Sequence, residues 1–517
     1  MLSARSRAWS EGSATTTLAT PRLIGGIPFE RLPLNATLSA RHAYSIIVEE
    51  AMRYNKNAVG RPVGSSDLAS EAKSSVLSQV SMNAAGIDVG AESHFVAVPE
   101  DRDEQSVREF GAFTVDLYRL ADWLAACDIE TVAMESTGVY WIPLFGVLEE
   151  RGFVVKLADP RRLKSVPGRK TDVVDCQWLQ QLHSYGLLAG AFRPSEHIRE
   201  LRSYLRQRSM LIKYAAQHIQ HMQKVLTQMN IKLQHVVSDI TGKTGMDIIR
   251  AIIGGERDPQ KLSELRDYRI KADHETIAAA LEGHWRDEHL FELAQAVQLY
   301  EFYHNRITEC DGRIEAQLNT FDDLSDGGTV DRKKPGQHNA PSFDLQSYMY
   351  RMTGVDLTKI DGIDGYTALR IISEIGLDMS RWPSAKHFAS WLGLCPGNKI
   401  TGGKQYNTRS KPSANRAALT LRLAANSLHN SKSALGAFLR RKKAKLGTPE
   451  AITATAHKLA RLIYSMLKHG HDYADSGQDY YERQYRERVL YNMARTAKQF
   501  GYKLVEVGEP DLQPAST

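Results

Sequence analysis

A chain of 517 residues is too long for one hydrophobic core and calls for two or three domains. Its composition, 42% hydrophobic and 24% charged, is that of a soluble globular protein, and no run approaches the roughly 18 consecutive apolar residues that a membrane span needs. The formal net charge is +6, and the four cysteines (Cys127, Cys176, Cys310, Cys395) stand far apart with no CxxC pair, which argues against a zinc ribbon or a disulfide framework and for a reducing cytoplasm.

Residues 1–81 differ from the rest. The opening stretch is rich in Ser, Thr, Ala and Arg and poor in acids, a composition like that of a transit peptide. Met82 stands just ahead of the first convincing strand. The reading is a mostly disordered leader with Met82 as the natural start, an organellar signal being the alternative.

Residues 82–194 form the first expected domain. Ala84–Val98 reads as strand, Gly-containing turn and strand. A third strand is expected near Glu109–Val115, a helix over Leu117–Ala126, and a strand at Thr131–Met134 ending on Glu135. A helix over Val139–Arg151, a strand at Val154–Ala158 and a helix over Asp172–Tyr185 follow. Strands first, then strands alternating with helices, indicate a mixed α/β sheet covered by helices. Residues 195–322 turn helical, with Leu201, Leu205, Leu211, Ile219, Met222 and Leu226 at helical spacing, which suits a bundle or a dimerising coiled coil. Residues 323–348 are a Gly/Pro/Asp-rich linker, 349–474 a second compact domain, and 475–517 a polar helix with a tail.

Four acids carry the chemistry. Asp88 lies in a strand between Gly86 and Gly90, and Glu135 ends another strand. Asp172 and Asp175, spaced i, i+3 at a helix start, share one face. Such hard oxygen donors suit Mg²⁺ or Mn²⁺, and two such ions can clamp the attacking and leaving oxygens of a phosphodiester. Singly, Asp172 also reads as a plain acid at a helix N-terminus.

The segments GIDVG, MESTGVYW and GRKTDVVDCQWL, in this order, resemble the DEDD transposases of the insertion-sequence-110 family. The resemblance covers roughly Ala84–Leu504. It implies an N-terminal domain of RNase H-like fold, similar to the RuvC-type Holliday-junction resolvases, with Asp88, Glu135, Asp172 and Asp175 as its metal ligands. It further implies a homo-oligomer (dimer or tetramer) with a site composed across subunits, and an element-encoded guide RNA that pairs with donor and target DNA. The function expected is that of a site-specific recombinase moving an insertion sequence. A metal-dependent junction nuclease and an inactive nucleic-acid-binding relic are the alternatives.

From Met379 to Pro449 there is no Asp or Glu, while Lys and Arg recur throughout, the footprint of a polyanion partner. Leu357–Gly376 reads as two helices joined by a Gly-Ile-Asp-Gly turn, a helix-hairpin-helix within a mainly α domain; Gly362 and Gly365 would let turn amides meet a DNA phosphate. Then comes FASWLGLCPGNKITGGKQYNTRSKPSANR, similar to the family's C-terminal domain, in which a Ser before Gly is the nucleophile. Thr401 occupies that position here, a hydroxyl crowded by an extra methyl. Ser410 and Ser413 are the possible substitutes. Lys404, Arg409, Lys411, Arg416 and Arg422 are candidate nucleic-acid contacts, Arg being able to hold a phosphate with two prongs. Tyr140, Tyr406 and Trp391 are stacking candidates, with a core role the stronger reading for Trp391.

Overall fold

The computed structural model describes residues 79–158, 171–188, 190–330, 339–397, 399–402, 404–407, 410, 415–471 and 473–505. Most of the expected leader, Arg409, Lys411 and Ser413 lie outside the described residues, as do the side chains of Lys404 and Tyr406. The described chain divides into two compact units, up to Arg193 and from Pro194.

The first unit is a five-stranded sheet of β1 (Ala84–Val89), β2 (Ser93–Ala97), β3 (Val107–Gly111), β4 (Thr131–Glu135) and β5 (Val154–Ala158), ordered β3-β2-β1-β4-β5. The β1–β2 and β2–β3 pairs are antiparallel, whereas β4 runs parallel to both β1 and β5. This mixed sheet with its helices is consistent with an RNase H-like domain. Strand β1 is central and buried on both faces, which is why its sequence reads as a nearly continuous apolar run. Ala85, Ile87 and Val89 face one core with α1 (Thr114–Ala126) and α2 (Trp141–Glu150). Ala84, Gly86 and Asp88 alternate to the other face, beneath α3 (Asp172–Ser184).

The third strand lies earlier than Glu109–Val115. The chain leaves the sheet at Gly111 and α1 starts at Thr114, with the Asp116 and Leu117 amides donating to the Phe113 carbonyl. Phe113 itself is 80% exposed, so its hydrophobicity is spent at a helix entry and not in the sheet.

The second unit is mostly helical. Helix α4 (Glu196–Gln228) packs antiparallel along α9 (Asp287–Leu318), with Leu211 and Ala215 against Ile307, and Gln317 donating to Glu200 at 2.8 Å. Helices α5 (Leu233–Val236), α6 (Lys243–Ile253), α7 (Pro259–Ser263) and α8 (His274–Leu281) close a second core around Met222, Leu226 and Leu293. Beyond it come α10 (Leu345–Thr353), α11 (Gly365–Ile375), α12 (Ala385–Trp391), α13 (Arg416–Ser427), α14 (Ala434–Leu446), α15 (Thr448–His469) and α16 (Gly477–Gln499). The buried Arg208 of α4 ties α9 to α11: it pairs with Asp311 and donates to Tyr366 Oη at 3.1 Å and to the Asn339 carbonyl at 2.7 Å. No described helix is long and apolar enough to cross a membrane.

Candidate active site and nucleic-acid interface

Strands β1 and β4 run in register, Ala84 opposite Thr131, Gly86 opposite Ala133 and Ile87 opposite Met134. Asp88 and Glu135 are the next residues along these two parallel strands, and by the alternation of side chains they fall on the same face as Gly86 and Ala133. Helix α3 lies across that face in the opposite direction. His183 meets Thr131 (Nε2 to Oγ1, 2.9 Å), Leu179 packs with Ala133, and Gln180 donates to the Ala84 carbonyl at 3.2 Å. Asp175 stands one turn before Leu179 on this stripe, so the first turn of α3 arrives over the strand ends that hold Asp88 and Glu135.

Gly86 sets the height of the helix above the sheet. A Cβ there would lie 2.3 Å from the Cys176 carbonyl oxygen and 2.3 Å from the Gln180 amide nitrogen. Only glycine allows this approach. The Cys176 thiol is pushed up to about 12, mainly by burial, with the negative charges of Asp88 and Asp175 raising it further. Both carboxylates therefore flank the same buried thiol, which stays protonated and inert.

The other end of α3 is pinned by His183. Thr131 gives its one hydroxyl proton to the Val154 carbonyl (2.9 Å), so it accepts from His183 Nε2–H. Nδ1 is buried and without a partner. Burial, and secondarily the charge of Lys156, lower the imidazole to about 4, and the ring is neutral at pH 7.

Among the four acids, Asp88, Glu135 and Asp175 are partly buried and Asp172 is exposed. Glu135 accepts from Thr137 Oγ1 at 2.7 Å, and the α3 N-terminus, capped by Thr171, favours the negative charges of its first turn. Carboxylate oxygens of this kind match the donor preference of a hard divalent cation. Among the described residues, no three acidic, His or Cys side chains close on a single metal-sized point. The fold brings the carboxylates to one end of one sheet face, and there it stops.

Thr401 lies in the second unit, on a feature that helical periodicity did not announce. Strands β6 (Lys399–Thr401) and β7 (Lys404–Asn407) form an antiparallel hairpin with Thr401 opposite Lys404 across a two-residue Gly-Gly turn. Gly402 has φ +56°, the left-handed conformation that such a tight hairpin turn requires. Thr401 is exposed beside the turn of this hairpin. Ser410 bridges antiparallel to Pro396, off the turn.

The expected hairpin of helices has one full member. Only a 3₁₀ turn, Leu357–Lys359, precedes α11. Gly362 (φ +83°) and Gly365 are needed for packing: a Cβ would meet the Ala424 carbonyl at 2.7 Å in the first case and Leu345 Cβ at 2.9 Å in the second. The Asp364 side chain already accepts the Thr367 amide at 2.7 Å. Arg416 and Arg422 both sit on α13, about a third of a turn apart around its axis, so they address different phosphates. Arg416 adds its charge to that of Arg199, Arg202 and Arg206 on α4, a cluster that the sequence reading missed because its members lie two hundred residues away. Arg202 is lowered chiefly by burial, and Glu374 answers part of the charge through Arg206 at 2.9 Å. Trp391 belongs to an aromatic cluster, 4.9 Å from Trp382 and 6.1 Å from Phe388, whereas Tyr140 is exposed at the start of α2.

Comparison with known families gives two matches. A DEDD transposase model of the insertion-sequence-110 family matches residues 85–231, the stretch carrying all four acids. A second model, of the transposase IS116/IS110/IS902 family, matches residues 356–437, the stretch carrying Thr401 and α13. No curated protein matches the chain. The two matches fall in chain order, and together they support a transposase of the insertion-sequence-110 family, an enzyme that cleaves and transfers DNA.

Proposed function

We propose that Asp88, Glu135, Asp172 and Asp175 hold one or two Mg²⁺ or Mn²⁺ ions and that Thr401 is the nucleophile of strand transfer. The observation that supports this reading is the parallel register of β1 and β4 up to Ile87 opposite Met134, which leaves Asp88 and Glu135 as the next residues of the two strands on the sheet face covered by α3. Bound there, the metal would supply charge neutralisation at the scissile phosphate and acidify a coordinated hydroxyl. The chain's own residues do the rest. The Thr401 hydroxyl gives its proton to solvent water as its oxygen bonds to phosphorus and the phosphorus–oxygen bond to the departing DNA strand breaks. The departing DNA oxygen leaves as a hydroxyl after taking a proton. A second DNA hydroxyl then attacks the phosphothreonyl bond, restoring Thr401 and joining the new strand. Exposure of Thr401 at a hairpin corner supports access to a large substrate.

Lys404, Arg409, Lys411, Arg416 and Arg422 serve the phosphate backbone in this reading, with the 361–364 turn as a helix-hairpin-helix-like contact made through backbone. The guide RNA enters only through the family resemblance. Pairing of copies as a coiled coil is supported by the apolar residues left exposed along α4 and α9, among them Met210, Tyr214, Leu299 and Phe302. The domain division proposed is 82–194, 195–322 and 349–474, with 323–348 as linker. The test is a divalent-cation titration of the full chain and its Asp88→Asn variant, followed by calorimetry and by cleavage of element-end DNA. The wild type should bind the ion and cut; equal ion binding by both proteins would refute the ligand assignment.

A further inference from the structure

Beyond residue 437, where the second family match ends, α14, α15 and α16 present a face that the site described above does not use. Arg441 lies with its guanidinium carbon 3.8 Å from the Tyr485 ring centroid and 5.1 Å from that of Tyr481, whose hydroxyl accepts from it. The Lys458 ammonium lies 4.2 Å from the Phe438 centroid, and that of Lys442 lies 5.7 Å from the same ring. Arg461 and Arg488 complete the group: their charges, with those of Arg441 and Lys442, act on Lys458, which burial already holds below the ordinary lysine range. Five cations from three helices thus share one field.

What distinguishes them is the missing counter-charge. Elsewhere in this unit arginines are answered by carboxylates, Arg206 by Glu374 at 2.9 Å, Arg250 by Glu301 at 2.7 Å and Arg351 by Asp323 at 3.1 Å. Among the described residues, none of the five cations forms an ion pair, although α16 carries Asp479, Glu482 and Glu487. Arg441 Nε is buried without any hydrogen-bond partner. The adjacent Arg440 shows the contrast within one helix: it donates to the Ser431 carbonyl and to Gln478 Oε1, both at 2.7 Å, and serves as a strap. Like charges gathered without carboxylates destabilise the free protein and are relieved by a polyanion.

We propose that this face of α14, α15 and α16 is a docking surface for the phosphate backbone of duplex DNA, separate from the contacts assigned to Lys404–Arg422. The ring faces decide between duplex and single strand. Cations already lie over Phe438, Tyr481 and Tyr485, so these rings serve to fix the positions of charges. Rigid helices carrying fixed charges suit a stiff rod of phosphates, read without sequence preference. The proposal rests on the DNA-transposing activity of the family and not on the metal or the nucleophile, so a binding measurement fails or succeeds independently of those assignments.

The experiment is a salt series of equilibrium binding to random-sequence duplex DNA by the full chain and a Lys442→Gln, Arg461→Gln, Arg488→Gln variant. A charge-matched control carries Lys213→Gln, Lys224→Gln and Lys271→Gln on other exposed positions. At about 0.9 per phosphate contact, the slope of log K against log salt should shrink by about three in the patch variant and hardly at all in the control. The single Arg461→Gln variant, at an exposed position outside the ring contacts, should shrink it by about one and guards against loss of fold in the triple. Equal slopes for patch and control overturn the proposal. So does weakened binding of single-stranded RNA with duplex binding intact.

Discussion

The sheet that carries the acids and the hairpin that carries Thr401 hold their functional groups in opposite ways. Asp88 is set by a central strand buried on both faces, under a helix seated so low that residue 86 must be glycine. Thr401 is an exposed residue of a two-stranded hairpin, with open space around Gly402. In the first region, chemistry and stability share the same contacts. In the second, the Thr401 hydroxyl proposed as nucleophile stands on an exposed residue. Damage to the first should therefore cost fold and function together, and damage to the second function alone.

The sharpest break of this comparison is Thr401→Ala, which should lower strand joining by on the order of 10⁴-fold or more, measured by product formation on element-end DNA. The same variant should melt within about 0.5 kcal/mol of the wild type, because Thr401 is an exposed residue. Thr401→Ser should restore joining and sharpen the point, since it keeps the oxygen and removes the methyl that restricts χ1. Next in size, Asp88→Asn should reduce cleavage by on the order of 10²–10³-fold while leaving DNA binding in place. Gly86→Ala should destabilise the first unit by about 3 kcal/mol, because its methyl runs into the backbone of α3; chemical denaturation with a probe in that unit checks it. An undiminished melting point in Gly86→Ala would show that α3 can lift freely, and the shared-contact account of the first region would fall.

A pH experiment separates the regions at lower amplitude. His183 is lowered to about 4 in the folded chain, against 6.5 for the free group. The unfolded chain thus binds the proton first, and stability contributed by the neutral ring is full above about pH 6.5 and drains as pH falls toward 4. The loss is on the order of 3 kcal/mol in total, at about 1.4 kcal/mol per pH step. His183→Gln should flatten this limb of the stability curve for the first unit. An unchanged acid limb would mean that His183 does not pin α3 as described.

Much of the first region was legible because it is locally written. The apolar runs of β1 and β4 announce buried strands, and the i, i+3 acids of α3 announce a helix start. The β3 boundary was not, since Phe113 looks like a strand residue until the helix beginning at Thr114 claims its carbonyl. The hairpin of Thr401 was passed over although a Gly-Gly pair between extended residues is its signal, because the surrounding segment reads as helical. The two expected helices of Leu357–Gly376 reduce to a 3₁₀ turn and α11, since the Asp356 side chain binds the Thr358 amide and Gly362 turns the chain left-handed. Contacts such as Arg208 with Asp311 or Arg440 with Gln478 join residues far apart in sequence, and periodicity sees only one helix at a time.

The most direct test of the central claim is to trap the covalent intermediate. The protein is mixed with Mg²⁺ and end-labelled element DNA, with and without RNA transcribed from the element's flanks, quenched in denaturant, and the adduct is mapped by peptide mass spectrometry. The account predicts a DNA–protein adduct at Thr401, absent from both Thr401→Ala and Asp88→Asn. Cleaved DNA with no adduct, or an adduct that persists in Thr401→Ala, would contradict it.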